Sequence, residues 1–198
     1  TATKIRVKDD HSGVVEEGTK YVISPYDEYA VEEALRTKEK ISGSEVVVLT
    51  VGSKRAQEAL RTAMAMGVDK AIHINTDGHA PVDSLGVARL LASKIRESEL
   101  DLVFTGRSAA DDDNSQVSQM IAEFLAWPHV TMVSKFSIEA DGKKAKVERD
   151  VEGGTKEIWE TDLPAVIAAT KGLNEPRYAS LKGIMQAKSK PITEVAVA

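Results

Sequence analysis

The chain has 198 residues, enough for one domain of ordinary size, and 42% of them are apolar, enough to fill a core. Twenty-six Lys and Arg stand against 31 Asp and Glu, a net charge of −5, which argues against a non-specific nucleic-acid binder. Zero cysteines exclude disulfides, thiolate metal sites and a Cys nucleophile. No apolar run approaches the roughly 20 residues that span a bilayer, and no charged-then-apolar leader opens the chain. A soluble, reducing compartment is expected, with neither nucleic acid nor membrane insertion.

In chain order, Lys4-Ile5-Arg6-Val7-Lys8 and Tyr21-Val22-Ile23 look like a hairpin around a polar loop. The chain thus opens without the apolar first strand that usually begins a nucleotide-binding sheet. Ser24-Pro25-Tyr26-Asp27 then has the chemistry of a helix start, with Ser at the N-cap, Pro at the first helical position and Asp at the third. Val31, Ala34, Leu35 and Lys38 continue that helix at 3.6-residue spacing. Ala56, Leu60, Ala63 and Met64 predict a second, Leu85, Ala88, Leu91, Ala92 and Ile95 a third, and Val117, Met120, Ile121, Phe124 and Leu125 a fourth. Between them lie short β-branched runs: Val46–Val51, Ala71–Ile74, Leu102–Thr105 and Ala165–Ala168. Such runs suit strands covered on both faces.

Helix–strand alternation with short links predicts an α/β fold, a Rossmann-like, doubly wound and mainly parallel sheet. Residues 130–161 break the rhythm as an antiparallel β meander, turning at Asp141-Gly142 and Gly153-Gly154. The expected organisation is a nucleotide-binding domain over residues 1–170 and a recognition loop with a C-terminal arm over 171–198. From Asn174 onward that arm has no partner strand or helix in view.

Ligands of open α/β sheets bind beyond the carboxyl ends of the strands. The most suggestive end here is Thr105-Gly106, followed by Arg107-Ser108-Ala109-Ala110-Asp111-Asp112-Asp113-Asn114-Ser115-Gln116 and a helix at Val117. Free N–H groups in that first turn favour a phosphate, and Ser115, Gln116 and Ser118 add donors. The residues alone leave a second reading open: Asp113 caps the helix, and the three aspartates form a solvated acidic loop. The Gly-x-Gly-x-x-Gly and P-loop patterns are missing. His11, His73, His79 and His129 lack metal spacing and read as surface or satisfied residues. No nucleophile elbow is present, so the expectation is a binding site without catalytic residues and without a metal. Near the C-terminus Leu181, Ile184, Met185 and Lys188 can share one face of a short helix. That face either packs on its own domain, the default, or forms a partner-docking patch.

Together these segments resemble the β subunits of electron transfer flavoproteins over nearly the whole chain. The elements that carry the resemblance are Ser24–Ala34, Arg61–Gly67, Asp111-Asp112-Asp113 with Gln116 and Gln119-Met120, Val147–Gly154 with Leu163–Val166, and Leu173–Leu181. The resemblance implies a heterodimer subunit with a Rossmann-like domain. The α subunit then holds the redox FAD, and the β subunit buries a structural AMP at Ser24, Pro25, Tyr26, Asp27, Val51 and the segment from Gly106 to Val117. Within that segment Ala109, Asp112, Asp113, Asn114, Ser115, Gln116 and Val117 match. It also implies that Tyr26 approaches the flavin, and that Leu181, with Tyr178, Ile184 and Met185, anchors acyl-CoA dehydrogenases while Asp150 engages them electrostatically. A quinone oxidoreductase is the implied acceptor, and fatty acid oxidation the implied setting. The compartment is cytoplasmic in a bacterium or the mitochondrial matrix in a eukaryote.

The chain departs from the family pattern at several positions. Ser24 and Ser115 stand where Asn is usual, and Ser118 where Gly is usual. The family's first strand and a further C-terminal segment are not recognised in the sequence. Two alternatives are a bifurcating-type subunit with a second FAD in the AMP pocket and a stand-alone ATP-handling enzyme using Asp111 to Asp113. The side chain of Asp112, where the bifurcating branch has Gly, favours AMP.

Overall fold

The computed structural model describes residues 6–15, 17–139 and 142–197. Helix α1 (Pro25–Lys40) is followed by β1 (Val47–Gly52), α2 (Gln57–Met66), β2 (Lys70–Asn75), α3 (Ser84–Glu97), β3 (Leu102–Gly106) and α4 (Val117–Leu125). These are the alternating elements the apolar periodicities predict. The meander follows as β4 (His129–Ile138), β5 (Lys144–Asp150) and β6 (Lys156–Asp162), before β7 (Ala165–Ala169). Its two turns use Gly142, Gly153 and Gly154 at positive φ; Asp141 lies outside the described residues.

Two sheets form where the sequence predicts one. The first has the order β1-β2-β8, all parallel, with β8 at Ile192–Ala196. The second has the order β3-β7-β4-β5-β6; β3, β7 and β4 run parallel, and the meander is antiparallel. Among the described residues β1 pairs only with β2, and β3 only with β7, so one ladder edge of each has no described partner. Both strands line the cleft between the sheets. Every residue of β1 and β3 is accordingly half-exposed, whereas all five residues of β7 are buried. No strand among the described residues joins the two edges, which is why the single sheet is split.

The core is assembled in layers around these sheets. Ala88, Ala92 and Ile95 of α3 meet Ile121 and Leu125 of α4 over Val166. On the other face of β7, Ala165 and Ile167 pack with Val130, Val133, Phe136 and Val147 of the meander. Fully buried Leu60, Ile121 and Ile167 each contribute about 1.5–3 kcal/mol of transfer free energy.

The predicted opening hairpin is different. Val7 pairs with Val14 in a tight local bridge and not with Tyr21–Ile23, which run as coil; Lys4 and Ile5 lie outside the described residues. A larger correction concerns the C-terminal segment, which is no unpartnered arm. Residues Leu181–Ser189 form α5, whose buried Ala187 packs with Leu60, Met64 and Ala65 of α2. β8 then completes the first sheet beside β2. Arg61 donates to the carbonyls of Ala187 and Lys190, closing orphan acceptors at the end of α5.

The close approach of α5 to α2 depends on Gly183, where an added Cβ would sit 2.3 Å from the Ala65 carbonyl oxygen. Gly183→Ala is expected to destabilise the protein by about 1–3 kcal/mol, the usual cost of overpacking. Denaturant unfolding of the two proteins checks this.

Candidate functional site

The site begins with the first turn of α1. Ser24 occupies the N-cap and Pro25 the first helical position, as the sequence predicts, but the Ser24 hydroxyl caps nothing. Its Oγ is buried without a hydrogen-bond partner among the described residues. Asp27 also leaves its own helix: its Oδ1 accepts a hydrogen bond from the Gly106 N–H at 2.8 Å, tying α1 to the carboxyl end of β3. The approach is so close that a Cβ on Gly106 would lie 2.8 Å from both Asp27 Oδ1 and Tyr26 Cβ. Only glycine fits there. Burial pushes the Asp27 carboxyl up, and the Gly106 N–H only partly offsets that.

Beyond Gly106 the polar loop is ordered by its own side chains. Arg107 lies over the Tyr26 ring, 4.5 Å from its centre, and donates to the Tyr26 hydroxyl at 2.9 Å. The same guanidinium stands 3.6 Å from Asp113. Asp113 Oδ1 also accepts from the buried Ser108 hydroxyl at 2.6 Å. Asp113 therefore does not cap α4; Gln116 is the N-cap, and it makes no side-chain cap. Asp111, Asp112 and Asp113 are all exposed, as a solvated acidic loop would be, and Asp112 also accepts from both the backbone and the side chain of Asn114. Asp113 and Ser115 adopt positive φ, +48° and +52°, a conformation that costs a non-glycine residue of order 1 kcal/mol or more and clusters at functional sites.

Among the described residues α1, α2 and α4 start without a side-chain cap, at Ser24, Ala56 and Gln116, and of these Ser24 and Gln116 border the same cavity. By contrast α3 and α5 are capped conventionally, by Asp83 on the Gly86 N–H and Ser180 on the Gly183 N–H. Ser24 and residues 114–118 line one cavity, of about 1480 Å³. Thr105 lines it as well, and its hydroxyl is a second buried donor without a partner. Orphan buried hydroxyls beside unpaired helix N–H groups suit a polar, anionic ligand. The rest of the cavity runs down the bare edges of β1 and β3 and is lined by apolar Val47, Val48, Leu49, Val103 and Phe104.

The site residues expected from sequence converge here. Of those expected to hold the nucleotide, all but Tyr26 and Asp113 line this cavity, Val51 from the end of β1 included. Tyr26 and Asp113 stand behind it, joined through Arg107. Sequence reasoning passed over Arg107, Ser108 and Thr105 as site builders; a single cation inside an acidic loop was the one available signal for the first. Of the histidines, His73 is fully buried and satisfied by Gln57 and the Gly52 carbonyl, whereas the buried His129 Nε2 has no partner among the described residues.

The second candidate surface is α5. Its apolar side chains do not pack on the domain, contrary to the default expectation: Leu181 is 83% exposed, Met185 73% and Ile184 41%. Ala187 alone turns inward. Tyr178, just upstream, is almost wholly exposed. Asp150 lies in the other sheet, at the end of β5, where it accepts from Ser134 and faces Lys156 at 3.5 Å.

With this geometry in place, comparison with known proteins is decisive. The profile of the electron transfer flavoprotein domain matches residues 12–198. The chain belongs to the electron transfer flavoprotein β-subunit family. It is 48% identical over 197 residues to "Electron transfer flavoprotein subunit beta" of Mus musculus, covering 98% of this chain and 76% of that protein. The human subunit of the same name is 47% identical over 194 residues, 96% of this chain and 74% of that protein. The Bradyrhizobium diazoefficiens protein of that name is 44% identical over 195 residues, 98% and 76% respectively. Among the described residues no helix is long and apolar enough to cross a membrane.

Asp27 gives this site a pH signature. Its folded-state pKa is raised, so its favourable contribution is complete below the unfolded value and fades as pH rises through the folded one. Asp27→Asn keeps an acceptor for Gly106. It is expected to match the parent protein's stability below the pKa of an unfolded Asp, to exceed it as pH rises above that value, and to hold a constant advantage above the folded-state value, as thermal melts across pH measure.

Proposed function

We propose that the chain acts as the non-catalytic β subunit of a heterodimeric electron carrier, binding a structural AMP at the rim formed by α1, β1, β3 and α4. The observation that carries the nucleotide is the pair of uncapped helix N-termini sharing one cavity with the orphan Ser24 and Thr105 hydroxyls. In this reading the N–H groups of Ser115 to Ser118 donate to phosphate oxygens. The two hydroxyls supply further hydrogen bonds to the nucleotide. The Asp112 side chain lines the cavity, which supports a mononucleotide over the longer second FAD. Arg107, committed to Tyr26 and Asp113, leaves the loop without a cation for ATP chemistry.

FAD held with the α subunit supplies the reversible one- and two-electron chemistry. This chain's part is structural: Tyr26, fixed by Arg107 on its face, forms a wall toward the flavin. The exposed Tyr178, Leu181, Ile184 and Met185 dock acyl-CoA dehydrogenases, with Asp150 as an outlying acidic contact, and a quinone oxidoreductase takes the electrons onward. What supports docking is the apolar face of α5, left outward although its helix is otherwise packed.

Denaturing the purified heterodimer and weighing the released small molecules tests the cofactor reading. One AMP and one FAD are expected; two FADs, or no adenylate, overturn it. Adding AMP to nucleotide-stripped heterodimer at a hundred times its dissociation constant is expected to stabilise it by about 2.7 kcal/mol. For docking, Leu181→Ala is expected to slow flavin reduction by an acyl-CoA dehydrogenase while leaving the flavin spectrum unchanged. An unchanged rate sinks that part.

A further inference from the structure

Residues 174–177, which deliver the chain to the exposed face of α5, are gripped by one face of α1. Asn174 Nδ2 donates to the Tyr29 carbonyl at 3.0 Å and to Glu33 Oε2 at 2.9 Å. Arg36 reaches the Glu175 carbonyl. Arg177 forks onto Glu32, Nε to Oε2 at 2.8 Å and Nη2 to Oε1 at 3.0 Å, and its backbone N–H adds a third bond to the same carboxylate. Its remaining arm, Nη1, donates to Glu39 at 2.6 Å.

Glu32 and Glu33 are 3% and 4% exposed, although they are charged and lie on the face of α1 away from its Val31, Ala34 and Leu35 stripe. Burying carboxylates is costly and needs full pairing. Burial alone would raise the Glu32 carboxyl, but hydrogen bonds from Arg177 and Arg36 outweigh it and hold it below the ordinary range. The guanidinium of Arg177 is correspondingly raised by its bonds to Glu32 and Glu39.

We propose that the Glu32–Arg177 fork, with Asn174 on Glu33, is a positioning clamp that holds Tyr178 and Leu181 presented to the partner dehydrogenase; this rests on the docking reading above. Two anchors flank the presented segment. Upstream stands the clamp on α1; downstream, α5 is fixed on α2 through Ala187 and Arg61. Between them Tyr178 and Leu181 are 99% and 83% exposed, so their own domain does not hold them. Unclamped, the segment would sample many conformations, and the ordering cost would fall on each encounter. If the presented conformation drops to about one tenth of the population, half-saturation rises about tenfold. The rate at saturation is expected to stay unchanged, because the clamp acts on the fraction of molecules that present the segment and not on the electron-transfer step.

The test uses the αβ heterodimer as acceptor for an acyl-CoA dehydrogenase reduced by its acyl-CoA, with Glu32→Gln, Arg177→Lys and Leu181→Ala compared. Glu32→Gln is expected to raise KM about tenfold with kcat within about twofold. Arg177→Lys keeps the charge without the two-pronged fork and is expected to fall between it and the parent. Chymotryptic cleavage after Tyr178 should accelerate in both, and direct reduction by dithionite should be unaltered. If Leu181→Ala raises KM and neither clamp variant does, the clamp is refuted and docking stands. If Leu181→Ala has no effect, docking itself falls. A changed dithionite reduction or flavin spectrum in Arg177→Lys assigns the pair to the flavin site or to folding, and overturns the proposal.

Discussion

Much of this molecule hangs on the contact between the first turn of α1 and the end of β3. Asp27 reaches across to the Gly106 N–H, and Gly106 has no room for a side chain because Tyr26 and Asp27 occupy the space. The hydrogen bond buries a carboxyl that would otherwise remain in water, a costly choice that needs a structural return. The return is placement. It sets the uncapped start of α1 on the same cavity rim as the uncapped start of α4. Orphan N–H groups from two separate parts of the chain then face one space.

α1 serves a second end with another of its faces. Tyr29, Glu32, Glu33 and Arg36 recur at intervals of three and four, so they share a stripe, and the stripe receives residues 174–177. One helix thus braces, at its N-terminus, the rim at which we propose the nucleotide and, along its flank, the segment proposed to dock. A carrier must keep its cofactor while releasing its partners. Rigid support at the rim and a small, exposed contact face on α5 match those two demands.

The divided sheet has a related physical consequence. Parallel ladder edges are normally covered, because bare N–H and C=O groups beside apolar side chains are costly to leave open. Among the described residues β1 and β3 each pair on one side, and their other edges line the apolar part of the large cavity. The cavity is therefore polar at the rim, where Ser24 and Thr105 lie, and mostly apolar in side chains along the strand edges.

Local chemistry determined the elements: the 3.6-residue stripes of α2, α3 and α4, the β-branched runs of β1, β2, β3 and β7, and the glycine turns of the meander all read directly from spacing. The polar loop after Thr105 was legible for the same reason, since strand, loop and helix start are contiguous in sequence. What tertiary structure alone decided was which groups would lack partners. Ser24 has the residue type of a cap yet caps nothing, Asp113 turns to Ser108 and Arg107, and Glu32 and Glu33 are buried in a helix face because Arg177 and Asn174 arrive from far along the chain. Propensity and periodicity register a residue's neighbours in sequence; they carry no information on a partner more than a hundred residues away. The same limit hid β8, whose place beside β2 and whose parallel register exist only once α5 has packed on α2.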